Sequence, residues 1–318
     1  MTGGECRGAP ARIAGTFKIM RTEGDSWDIT SGVGSTALFV AAGRAFASRE
    51  PDPLITDPFA EAFVRAAGRE WEDLLDGLVA EHPLIDPGFG AGFRLYLAAR
   101  TRYFDDFCDV AVAAGIRQVV ILAAGLDARS YRLSWPDDAV VYELDRAPVL
   151  DFKAKALAAA GGMSRARRRE VAVDLREDWP RALRDGGFDR SRPTAWLAEG
   201  LLPYLPAAAQ DRLFESIDAL SAPGSRVAVE QTAMLTPAAI EEMRSYADQT
   251  DHGRAEWVQL IYNEPRSEAA AWFADHAWVA ERTEVDAYIR ALGRTPPSPD
   301  PSAALVTSLI SLVTAIRS

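Results

Sequence analysis

Cysteine is scarce in this chain of 318 residues, with only Cys6 and Cys108, and the two form no CxxC or other ligand spacing. No disulfide framework is expected, and a reducing, cytoplasmic setting follows as the default. Histidine is almost as rare. His82, His252 and His276 are scattered and no HExxH occurs, so no metal site is expected. No apolar run reaches the length of a bilayer span. Residues 1–19 are partly basic but hold no apolar stretch, which argues against a secretory signal. Net positive charge is also missing. Lys and Arg number 35 against 46 Asp and Glu, a formal charge of −11. Long-range attraction to nucleic-acid backbones or anionic membranes is therefore not expected. The one dense basic cluster, Arg165 to Arg169, reads as a solvated loop before a strand.

Two motif classes are missing as well. Without Gly-x-Ser-x-Gly there is no hydrolase nucleophile elbow. Without Gly-x-Gly-x-x-Gly there is little to hold a dinucleotide's pyrophosphate. Gly32-Val-Gly-Ser-Thr looks like a phosphate loop, but it lacks the lysine and follows no strand, so it reads as a helix start.

What is present is a change of pattern partway along. Residues 30–115 read as helical. Ser35-Thr36 is placed to cap a helix that ends before Pro51. Asp57-Pro58 opens a helix over Phe59–Ala67. Further helices are expected around Trp71–Glu81 and over Gly92–Ala114, the last stopped by Gly115. Then Gln118-Val-Val-Ile-Leu-Ala-Ala forms a continuous apolar run, as a strand covered on both faces would. Strand candidates follow at 139–144, 170–173, 194–198 and 226–231. Helix candidates at 148–160, 179–185 and 207–220 separate them. This alternation predicts an α/β fold, a doubly wound and mostly parallel sheet. Residues 236–275 read as a helical insertion, with a final antiparallel strand near 312–316.

In such a sheet, ligands sit beyond the carboxyl ends of the strands. The first strand ends in Gly125-Leu126-Asp127, where glycine permits a tight turn and close approach. The second ends at Asp145, 20 residues after Gly125, an offset suited to ribose hydroxyls. The third ends in Asp174-Leu175, the fourth in Glu199-Gly200. A glycine after a strand, or one acid at a strand end, usually serves only a turn or a cap. Four successive strand-end acids exceed what turns require. They would repel a phosphate and welcome a nucleoside bearing an amine and a sulfonium.

The segments ILAAGLDARSYRL, VYELDRAPVLDFK, VAVDLREDWP and AWLAEGLLPYLP, in that order, resemble the actinobacterial branch of the leucine carboxyl methyltransferase family. SWDITSGVGSTALFVAAGRA, DPLITDPFAEAFVRAAG and RTRYFDDF do so too. The resemblance spans roughly residues 25–235. It implies a class I methyltransferase (Rossmann-like) domain with a seven-stranded sheet, S-adenosyl-L-methionine as cofactor and S-adenosyl-L-homocysteine as product. By position, Arg100 would take the cofactor's methionine carboxylate and Gly125 would pass beneath its methionine portion. Asp127 belongs to the same turn. Asp145 would hold the ribose, Asp174 and Leu175 would meet the adenine, and Glu199 would lie near the amino end. The chain departs from the eukaryotic members in having no lysine between Asp28 and Leu38, which weakens any transfer of their phosphatase substrate.

The expected organisation is an N-terminal extension, residues 1–24, then one domain, 25–318. Met20 looks like a second start. Within the domain, 25–115 is helical, 116–235 binds the cofactor, 236–275 is an insertion and 276–318 carries the last strands. Tyr204, Trp257 and Tyr262 are the substrate-side candidates, although Trp257, Tyr262, Trp272, Phe273 and Trp278 read first as packing. Asp105 and Asp106 read as a solvated helix face. No general base stands out, which favours an acidic oxygen as methyl acceptor. The expected activity is O-methylation, on a carboxylate or hydroxyl, of a small molecule such as one of secondary metabolism. A protein or peptide carboxyl methyltransferase and a non-catalytic nucleoside-binding protein remain the alternatives.

Overall fold

The computed structural model describes residues 33–238, 240–241, 260–297 and 307–318. The N-terminal extension, Trp257 and most of the centre of the insertion lie outside them. The first described element is α1 (Val33–Ser48). Ser35 and Thr36 lie within this helix rather than before it. In α2 (Pro58–Ala66), Asp57 accepts from the amides of Phe59 and Ala60, both at 3.1 Å, and Pro58 takes the first helical position. Asp57 also binds Arg44 of α1 at 3.0 Å, so one buried carboxylate caps one helix and ties it to another. Next, α3 (Arg69–Leu75) is shorter than its sequence suggests, because Gly77 turns the chain with φ +73°. In turn, α4 (Phe89–Ala113) begins before Gly92. Asp86 accepts from the amides of Gly88 and Phe89 and so moves the start forward. It ends as expected, with Gly115 at φ +88°.

The strands are β1 (Gln118–Leu122), β2 (Val140–Asp145), β3 (Arg167–Ala172), β4 (Thr194–Ala198), β5 (Arg226–Thr232), β6 (Trp278–Glu284) and β7 (Ile310–Arg317). They form one sheet in the order β3-β2-β1-β4-β5-β7-β6. The first five are parallel, and β7 runs antiparallel between β5 and β6. Helices α5 (Arg129–Arg132), α6 (Ala147–Ala159), α7 (Trp179–Asp185) and α8 (Ala207–Ala219) make the crossovers. Later helices among the described residues include α9 (Ala269–Asp275) and α10 (Val285–Ala291).

Continuous apolar runs become strands because each face has its own cover. Val120 and Leu122 pack with Trp196, Val229, Phe214 and Phe273 on one side. Val119 and Ile121 pack with Leu97, Phe104, Leu197 and Ile289 on the other. Alternate residues of a strand point to opposite faces, so both sets are buried. A third cluster joins α1, α2 and α6 beside the end of β1. The basic run is a loop only at its start: Arg165 lies in an exposed bend, while Arg167 to Arg169 lie in edge strand β3. The sheet ladder recruits them, and Arg167 and Arg169 leave the edge charged, which discourages pairing with other strands. Among the described residues, no helix is long and apolar enough to cross a membrane.

Candidate cofactor and active site

The first four strands are parallel neighbours, so their carboxyl ends share one sheet edge. The topological reversal falls at β1, between β2 and β4. Here the β1 turn bends sharply, with Ala123 at φ +51° and Gly125 at φ +46°. A left-handed alanine costs about 1 kcal/mol, and such strain collects at functional turns. The Gly125 amide donates to Asp145 Oδ2 at 2.7 Å and the Arg146 amide donates to Oδ1 at 2.7 Å. This joins the ends of β1 and β2. Burial pushes the Asp145 carboxyl above the usual aspartate range, against the two amides. From the N-terminal helices, Arg44 donates to the Leu126 carbonyl at 2.7 Å, and Ala37 lies beside Gly125. The helical region thus closes over the turn.

At the end of β3, Asp174 is forked by Arg176 at 2.9 and 2.6 Å. The Arg176 hydrogen bonds hold its carboxyl below the usual range. Leu175 packs against the apolar core.

On the other side of β1, two buried arginines organise the site. Arg100, from α4, makes an ion pair from Nε to Glu199 Oε1 at 2.9 Å, and from Nη1 to Glu230 Oε2 at 3.2 Å. Arg129, from α5, holds the other Glu199 oxygen at 2.6 Å and also contacts Asp127 and Asp105. Asp105, on α4, further contacts Arg132. Burial alone would raise the acids. Arg129 overrides it, holding Asp127 down at about 2 and, with Arg100, Glu199 below its usual range. The expectation of a solvated Asp105 is therefore corrected. It is 8% exposed because it faces Arg129 and Arg132, while Asp106 stays outside with Arg102 at 2.8 Å.

The expected site residues divide into two groups. Gly125 contacts Asp145 directly, and Arg100, Glu199 and Asp127 are joined through Arg129. Asp174 and Leu175 continue the arc, with Arg146 Nε at 3.9 Å from Asp174. Arg129, Tyr96 and Glu230 were not singled out from the sequence. For Glu230 the one signal is an acid directly after the apolar run Val227–Val229 inside β5. For Arg129 and Tyr96 only the fold reveals the partners.

Tyr204 ends a 3-10 turn (Leu202–Tyr204) just after β4 and is half-buried. The Tyr262 amide donates to the Pro203 carbonyl at 2.8 Å. Arg266 donates to the carbonyls of Leu202, Leu205 and Tyr262 at 2.6, 3.1 and 2.6 Å. Tyr204 and Tyr262 thus belong to one stapled rim. Phe273 and Trp278 are buried with Phe214 and pack the late elements onto the sheet.

The donor set suits a sulfur nucleoside. A strand-end carboxylate fits ribose hydroxyls, a buried guanidinium fits a carboxylate, and surrounding acids fit an amine and a sulfonium. Fold and site together define an α/β nucleoside-binding enzyme of the class I methyltransferase type. The leucine carboxyl methyltransferase family matches residues 37–218. A Mycobacterium tuberculosis protein, provisionally named an S-adenosyl-L-methionine-dependent methyltransferase, is 53% identical over 302 residues, covering 94% of this chain and all of that one. A Mycobacteroides abscessus protein with the same provisional name is 52% identical over 299 residues, with 94% and 100% covered. Among solved structures, one provisionally named a methyltransferase, from Thermobifida fusca, is 21% identical with a TM-score of 0.48, covering 81% of this chain and 92% of that one. The chain belongs to the leucine carboxyl methyltransferase family, and it is an S-adenosylmethionine-dependent methyltransferase.

Proposed function

We propose that the enzyme methylates an acidic oxygen, a carboxylate or hydroxyl, on a small molecule. One observation carries this reading. Each of the described site carboxylates Asp127, Asp174, Glu199 and Glu230 is already engaged by an arginine, and Asp145 is engaged by two backbone amides. A carboxylate held by a guanidinium is a poor general base. An acceptor carboxylate, already anionic at neutral pH, needs none, so of the two oxygens the carboxylate is the one this observation favours.

When bound, the cofactor supplies a methyl group on a sulfonium, an excellent leaving group. The protein's task is then alignment and exclusion of water. In this reading Asp145 holds the ribose, Asp174 and Leu175 meet the adenine, and Gly125 lets the backbone pass beneath the methionine portion. Arg100 receives the methionine carboxylate, while Asp127 and Glu199 present negative charge toward its amino end. Tyr204 and Tyr262 lie on the acceptor side. The family description favours one second reading, a peptide carboxylate as acceptor.

The test is to incubate the enzyme with methyl-labelled cofactor and pools of small acids, phenols and peptides. Labelled products are then treated with alkali. Methyl esters release labelled methanol and methyl ethers keep the label, both on oxygen. Label recovered only on nitrogen or carbon would overturn the proposal. Label confined to peptide esters would decide for the second reading.

A further inference from the structure

The buried carboxylate of Glu230 serves three donors from two elements outside its own strand. Tyr96 of α4 donates its hydroxyl to Oε1. Arg100, one helical turn further on, donates from Nη1 to Oε2 at 3.2 Å and to Oε1 at 3.4 Å. The Gly200 amide donates to Oε2 at 2.6 Å. Gly200 follows Glu199 directly and sits at φ +64°. Tyr96 and Glu230 are each 3% exposed. A residue four places before Arg100 shares its helix face, so Tyr96 and Arg100 reach Glu230 side by side.

A buried carboxylate is costly unless several donors compensate it. Here those donors are two groups at the expected methionine end of the site, Arg100 and the Glu199–Gly200 turn, plus a tyrosine that braces both. Arginine recognises a carboxylate through a planar fork, and its precision depends on how the plane is held. Glu199 lies 2.9 Å from Nε as an ion pair, and Glu230 accepts hydrogen bonds from Nη1. The guanidinium is thereby held in place between two acids before any ligand arrives. We infer that Glu230, braced by Tyr96, is a positioning residue that fixes Arg100 and the β4 turn for the amino-acid end of the cofactor. This rests on Arg100 meeting the methionine carboxylate.

The experiment compares two ligands by calorimetric titration. S-adenosylhomocysteine carries the amino-acid end, whereas 5′-methylthioadenosine lacks it. In Glu230→Gln, affinity for S-adenosylhomocysteine is expected to fall about tenfold, the weight of one charge-assisted hydrogen bond. Methylthioadenosine should stay within about twofold. Added to Arg100→Ala, the substitution should cost little more, because both act through one interaction. Equal losses for both ligands would reduce Glu230 to a fold-holding residue and overturn the inference. So would unchanged or tighter S-adenosylhomocysteine binding, which would make Glu230 a mere competitor for Arg100. If Glu230→Gln fails to fold by circular dichroism, Tyr96→Phe decides. A loss confined to S-adenosylhomocysteine supports the inference, and an equal or absent loss overturns it. Arg100→Ala with undiminished S-adenosylhomocysteine binding would instead defeat the underlying reading of Arg100.

Discussion

At Gly125 and Asp145, one hydrogen bond couples a backbone shape to a titratable group. An added Cβ on Gly125 would meet Ala37 and the Ala123 carbonyl at 3.8 Å, an ordinary contact, so space is not the constraint. The constraint is φ +46°, to which the proposed passage beneath the cofactor would add a second. Gly125→Ala should therefore cost about 1 kcal/mol of stability, measurable by urea unfolding, while S-adenosylhomocysteine binding weakens by more than that. Stability and binding falling by the same amount would show that the turn is only a turn. The sequence displayed Gly125 and Asp145 as a pair at the right offset. It did not display the strained Ala123, because alanine gives no sign of a left-handed conformation. It also could not show that Asp105 would be buried, since a helix-face aspartate looks the same with or without an arginine opposite.

Among the elements, β2 and α6 share a buried ion pair. Glu143 and Lys153 are both fully buried and 2.8 Å apart, with Arg168 of β3 at 2.7 Å from the same oxygen. Ser130 of α5 donates to the other oxygen at 2.6 Å. Glu143 therefore ties α5, α6 and the edge strand β3 to β2. Removing one partner of a buried pair leaves an uncompensated charge, a loss of about 3–5 kcal/mol. Lys153→Met should approach the lower end, because Arg168 remains. Thermal or urea unfolding checks this, and a change below about 1 kcal/mol would mean that Arg168 alone suffices. Element positions were largely readable from apolar runs. Limits moved where local side chains intervened, as at Asp86 before α4 and Gly77 after α3. The start of β3 moved for a different reason, because pairing with β2 draws in arginines whose composition resembles a loop.

For the whole molecule, pH separates the fold from the site. Asp127 has an ordinary value of 3.8 and a folded value of about 2, held down by Arg129 against its burial. A depressed carboxyl contributes stability that is complete above its unfolded value and is lost as pH falls through the folded one. Asp127 therefore supports the fold until the pH passes from about 4 toward 2. Glu143 and Glu199, also depressed by their cationic partners, act in the same direction. Asp145 is opposite. Burial raises it, so it takes up its proton at a higher pH than an ordinary aspartate and, in its proposed role, would then no longer accept from ribose hydroxyls as an anion. S-adenosylhomocysteine affinity should thus decline on acidification while circular dichroism still reports a folded chain. Binding and fold lost together would refute this ordering.

By itself the sequence determined the α/β class, the order of most strands and helices, and the acids along the edge proposed for the cofactor. These follow from local periodicity and from turns whose residues are neighbours in the chain. Only the tertiary structure decided which charges neutralise one another. Arg100 meets Glu230 across 130 positions and Arg129 meets Glu199 across 70. Such pairs form because a buried charge must find an opposite one wherever the packed elements place it, and no spacing in the chain encodes that meeting.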